Sequence, residues 1–403
     1  MNLIVPLLPT AHQLLWLAFR IFKLFGFIPF PFDCCQFKLK SCSRSKSLLH
    51  LPVLQFLFYF AIIGIAMKYR VNNLHTNLKV LSMNDLLKYS SQIMAILVIL
   101  VNTVLQRDIH RSVWEKLDRI RYVARKVFLR RFIRLYLCKF YGYLALSAII
   151  ATQMIYVVKE SPFELAFCAL VLVLHAFLRL RHLFHMLFID VLKIQLQQLH
   201  YHLTELGEYM RELNSHPPDS PTHRNVYERS VKRLLELKDT YGQLWEISDC
   251  INRTFGWSQI CNFTGNFVQL SCDLYWCYLY VQGVTVGAYQ TVFVMLLPTA
   301  LILGLLLSSA ESCLRMAARL PQALLEVPVG HDCKLRRIIY RFGLQIAQQR
   351  IRLTAHGLFE INYSLLKMFG TGITTYMIIF ISFSRESPLM ELQEGLLINI
   401  SDD

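Results

Sequence analysis

The chain has 403 residues, with 42 Lys+Arg against 27 Asp+Glu (net charge +15), 55% hydrophobic residues and only 17% charged ones. So apolar a composition excludes an ordinary water-soluble domain, and it ties the basic surplus to an anionic membrane face rather than to nucleic acid. It makes the lipid bilayer the first partner of the chain.

A helix needs roughly 20 mostly apolar residues to cross a bilayer. In chain order, seven stretches meet that requirement: 49–67, 86–106, 135–158, 163–183, 258–282, 288–312 and 362–384. The fold expected is therefore all-α: a polytopic membrane protein with seven transmembrane helices. Residues 1–48 form an N-terminal segment, and the apolar part of it, 3–18, is expected as a helix lying at the membrane face. It lacks the basic start of a signal peptide.

The basic residues settle orientation. Six fall in 1–48, ten in 107–134, ten in 179–253 and eight in 315–352. The alternate connections and the last segment together carry only Lys68, Arg70, Lys79, Lys159 and Arg385. Because cytoplasmic loops retain Lys and Arg, the N-terminus is expected in the cytosol and 385–403 as an extracellular tail. A G-protein-coupled receptor would run the other way.

The connection 184–255 is expected to extend the membrane helices into the cytosol. Leu192, Leu196, Leu199, Leu203, Leu206, Met210 and Leu213 recur at steps of four and three. After a proline-containing break at 214–224, Val231, Leu234, Leu237, Tyr241, Leu244, Ile247 and Ile251 form a second apolar face. These seams pack either on each other or on neighbouring subunits. A further cytosolic connection spans 313–361.

The eleven cysteines avoid the expected outer loops, so no external disulfide framework is available. His182 and His185 share a helix face without a further ligand at metal spacing, and they read as structural; neither a metal nor a cofactor is expected. No catalytic motif is found, so the chain is not read as an enzyme. Among the glycosylation sequons, only Asn399 falls in the outer tail.

Asp273 is an intramembrane carboxylate in the outer half of span five, with Lys88 at compatible depth in span two. Such residues are expensive and are paired or functional, so an ion pair and a role in a binding pocket both stand open. Tyr89, Tyr156, Trp276, Tyr280 and Tyr289 lie near the outer ends of their spans. Their rings either stack on a small ligand or form the aromatic belt of the interface.

Span seven carries Thr371, Thr375, Ile379 and Ser382 on one stripe, with Phe369, Ile373, Met377 and Phe380 on the other side. A hydroxyl-bearing stripe at this depth serves helix packing or faces a water-filled path.

The segment Thr354–Asn362 (TAHGLFEIN), followed by Thr375–Phe383 (TYMIIFISF), resembles the signature of insect gustatory receptors. Gly357, Leu358, Phe359, Thr375, Tyr376 and Phe383 match it, whereas Ser382 stands where that family usually has Gln. The resemblance implies a homo- or heterotetrameric, ligand-gated, non-selective cation channel of the sensory-neuron plasma membrane that detects a small-molecule tastant, with non-sugar compounds favoured. Four copies of span seven would line the pore, Ile379 would belong to the gate, and Ser382 to the adjacent ring. Glu386, repeated around the axis, would form an outer cation-attracting ring. A secondary transporter is the remaining alternative, against which no internal repeat is found.

Overall fold

The computed structural model describes residues 9–29, 32–33, 38–39, 54, 57–58, 60–61, 64, 79–120, 126–159, 162–214, 221–282, 289–328 and 333–401. The expected first span, 49–67, lies outside the described residues except for isolated helical positions. The side chains of Tyr289, Phe383, Glu386 and Asn399 also lie outside them.

The helices are α1 (Pro9–Leu24), α2 (Lys79–Leu105), α3 (Arg107–Ile120), α4 (Lys126–Val158), α5 (Pro162–Asn214), α6 (Pro221–Val281), α7 (Tyr289–Ala318), α8 (Leu320–Leu325), α9 (Cys333–Gln348) and α10 (Ser364–Ser401). Two two-residue antiparallel pairs complete the described elements, β1 (Phe32–Asp33) with β2 (Lys38–Leu39) and β3 (Thr354–Ala355) with β4 (Phe359–Glu360).

Within these limits, five helices are long and apolar enough to cross a membrane: Asn84–Leu105, Ile133–Val157, Leu165–Glu212, Leu296–Leu325 and Ser364–Ser382. The expected fifth span forms the second half of α6. Asn262, Asn266, Gln269 and Asp273 depress its hydropathy, yet all four are buried.

At 1.5 Å per residue, α5 with 53 residues and α6 with 61 run about 80 Å and about 90 Å. Both far exceed the roughly 30 Å hydrocarbon layer. The excess is the expected cytosolic extension, and in α6 it joins the amphipathic segment and span five into one unbroken helix. The two apolar seams resolve within the chain. Leu192, Leu196, Leu199, Leu203, Leu206 and Met210 are buried, as are Val231 through Ile251 on the second face. They belong to one continuous core that also takes in α7, α8 and α9.

Helix α1 is more than a surface float. Ala18, Phe19 and Phe22 are buried, and the Phe22 ring meets Phe140 at 5.5 Å and Phe184 at 4.7 Å. The last helix, α10, continues as helical backbone to Ser401, through the segment 385–403.

Candidate functional site

The midpoint of the bundle is polar by construction. Lys88 on α2 donates to Asp273 on α6 at 2.5 Å, and both side chains are buried, Asp273 to 1% exposure. An ammonium and a carboxylate withdrawn from water are tolerated only as a pair with further hydrogen bonds. Those bonds are present. Gln269 donates to Asp273 at 3.4 Å and to Thr299 of α7 at 3.1 Å. Gln92 donates to Gln269 at 3.3 Å and lies 3.0 Å from His175 Nε2 on α5. Arg179 donates to Thr299 at 3.1 Å.

Four spans thus converge on one hydrogen-bonded cluster. Of its members, sequence reasoning singled out Lys88 and Asp273 for their charge and missed Gln92, His175 and Thr299. A signal existed: Gln92 is four residues after Lys88 and Gln269 four before Asp273, the spacing that stacks side chains on one helix face.

The aromatic residues expected near a ligand do not all gather there. Tyr89 is buried edge-on against Phe167 at 5.5 Å, and Lys88 lies 5.7 Å from its ring. Trp276 and Tyr280 are half-buried in the last turns of α6, and Trp276 packs beside Tyr275 and Leu279. Tyr156 is 67% exposed, with Lys159 4.2 Å over its ring, an arrangement suited to the interfacial belt.

Deeper along the same face of α6, Asn266 meets His182 at 2.7 Å and Asn262 donates to the Leu178 carbonyl at 3.0 Å. His185 stacks on Phe255 with centroids 4.4 Å apart. Both histidines are packed into the bundle. No group of three or more potential metal ligands exists among the described residues.

A separate face of α6 holds α10. Phe267 meets Phe369 at 5.6 Å and Tyr376 at 5.4 Å, while Tyr275 meets Phe380 at 5.1 Å. Gly372 permits this approach, because a Cβ there would stand 2.8 Å from Phe267 Cε2. Phe369, Ile373, Met377 and Phe380 therefore turn toward the subunit. Thr371, Thr375, Ile379 and Ser382 face outward and are exposed, Ile379 to 43%. The hydroxyls of Thr375 and Ser382 donate to the carbonyls of Thr371 and Ile378 at 3.0 and 2.9 Å.

The Gly-Leu-Phe segment is a tight hairpin. Ala355 pairs with Phe359, and His356 (φ 52°) and Gly357 (φ 80°) make the turn in the left-handed region that glycine adopts without strain. Phe359 folds onto Phe263 at 5.8 Å, whereas Leu358 is 69% exposed. Asn252 of α6 clamps the incoming strand: its amide donates to the Arg352 carbonyl at 2.8 Å and accepts from the Thr354 N–H at 3.0 Å. Asn362 then caps α10, accepting from the Ser364 N–H at 2.9 Å.

Comparison with known proteins agrees with this geometry. The family model for seven-transmembrane chemosensory receptors matches residues 15–386. Two Drosophila melanogaster proteins assigned by name to the gustatory receptors, 2a and 39b, are each 24% identical, over 48% and 38% of this chain. The matched segments span 49% and 43% of those proteins, so the chain spans about half the length of the curated relatives it matches. The solved structure of the olfactory receptor OR5 from Machilis hrabei in complex with eugenol superposes with a TM-score of 0.65 at 14% identity. It covers 92% of this chain and 99% of that one, which shows the shared fold.

Proposed function

From the membership of this chain in the seven-transmembrane chemosensory receptor family, we propose that it is one subunit of a ligand-gated, non-selective cation channel. It would sit in the plasma membrane of sensory neurons and respond to small organic tastants, non-sugar compounds among them.

One observation carries the reading. The last helix is fastened along its aromatic side and leaves its hydroxyl-bearing side uncovered by its own subunit. A single copy offers no reason for Thr371, Thr375 and Ser382 to face hydrocarbon, where polar groups are costly. Four copies around an axis would place them against water, with Ile379 as an apolar constriction able to gate by dewetting. Glu386, one turn further on, would add a ring of negative charge at the outer mouth. Partner subunits are either copies of this chain or related receptors.

The ligand would bind in the outer half, beside the Lys88–Asp273 cluster, with Tyr89, Trp276 and Tyr280 as aromatic walls and Tyr156 and Tyr289 nearer the interface. Helix α6 touches that cluster on one face and α10 on another, so it is the shortest mechanical link between pocket and pore. The Machilis receptor was solved in complex with eugenol, a small organic molecule.

Single cysteines at positions 375, 379 and 382, expressed in cells and probed by aqueous thiol reagents during ligand application, provide the test. Block of ligand-evoked current at all three supports the pore. Current that flows while all three stay unreactive overturns it.

A further inference from the structure

Arg181 ends the fourth membrane span, and its charge is unanswered by any carboxylate. The side chain is 1% exposed. Its Nε and Nη2 donate to the Ser258 hydroxyl at 3.3 and 3.0 Å, and its guanidinium lies 4.4 Å over Phe255 and 5.6 Å from Phe27. Nη1 is buried without a hydrogen-bond partner. Guanidinium does not lose its proton in a protein, so the charge persists at that depth. Aromatic faces offset part of the desolvation but supply no counter-charge.

The surroundings offer donors rather than acids. His185 follows on the same helix, with a buried Nδ1 that has no hydrogen-bond partner. Gln259, next to Ser258, lies within hydrogen-bonding reach of His182. Donors gathered around one uncompensated cation, between α5 and α6, are what an anion requires.

We propose that this locus between α5 and α6 binds a small inorganic anion, chloride under cellular conditions, held by Arg181 Nη1 with the Gln259 amide and the His185 ring beside it. Burial to 1% leaves no approach for a lipid headgroup, so the anion is small and comes from solution. The bound anion would neutralise the Arg181 charge and lock α5 against α6.

The experiment uses the full-length protein in detergent at constant ionic strength, with chloride or bromide replaced stepwise by gluconate. The wild-type Tm should rise saturably with halide, by roughly 2 °C for each tenfold excess over the dissociation constant. Arg181→Met should melt at the same temperature in every anion. A wild-type Tm indifferent to halide, or a halide shift that persists undiminished in R181M, overturns the site. Should R181M fail to fold, the wild-type titration decides alone: saturation supports the site, and a flat or unsaturating linear response rejects it.

Discussion

Lys88 and Asp273, 185 positions apart in sequence, form an ion pair with Nζ 2.5 Å from Oδ1, both side chains inside the bundle. Removing one partner strands the other charge. Lys88→Met or Asp273→Asn should each cost about 3–5 kcal/mol, while replacing both with apolar residues should recover most of the loss. Thermal denaturation of the two singles and the double in detergent gives the cycle. Additive losses would mean that the pair does not interact.

At Gly372, α10 lies directly against the Phe267 ring of α6. Gly372→Ala would drive a methyl into the Phe267 ring, and because α10 is bound along one side only, the helix should shift. We expect ligand-evoked current to fall at unchanged surface expression. Phe267→Leu, which shortens the obstructing ring, should restore it in the double mutant. Full current in G372A alone would show that the contact yields freely.

Asn252 serves two backbone groups of the hairpin strand at once. Asn252→Ala leaves the Thr354 N–H without that acceptor and should cost about 1–3 kcal/mol. Protease cleavage in 350–362 should accelerate relative to the wild type, and an unchanged cleavage rate would place the hairpin under other control.

His110, on α3 below the membrane, is buried against Phe184, Phe188 and Phe255. Burial, helped by the nearby Arg181 charge, pushes its pKa down from 6.5 to about 3. The folded state thus resists protonation that the unfolded chain accepts. Stability from this group is complete above pH 6.5 and declines as pH falls toward 3, by up to about 1.4 kcal/mol per unit. Melting curves between pH 7 and pH 5 should be flatter in His110→Leu than in the wild type. Equal slopes would exclude His110 as the titrating group.

Much of this was legible in the sequence. Runs of apolar residues long enough for a bilayer are local facts that fix helix class without any tertiary contact, and basic residues confined to alternate connections set the expected orientation in the same one-dimensional way. The leucine seam from Leu192 to Met210 was equally plain, but its partner was not. Periodicity says that a face must be covered and is silent on whether the cover belongs to the same chain.

Pairing across helices was legible only where charge made a side chain conspicuous. Lys88 and Asp273 stood out because each is costly in hydrocarbon. Gln92, His175 and Thr299 carry no charge that sequence could flag, and their role exists only because α2, α5 and α7 meet α6 at one depth. Asn252 could not be assigned to the hairpin, since the carbonyl and N–H that it binds are a hundred residues away.

The amino-acid sequence by itself determined a membrane-embedded helical chain and a terminal span with one hydroxyl-bearing and one aromatic side. Only the tertiary structure decided which side meets the subunit and which is left open, and which polar groups satisfy one another inside. The reason is that helix periodicity sorts residues onto faces, whereas the choice among faces belongs to the packing of neighbours from distant parts of the chain.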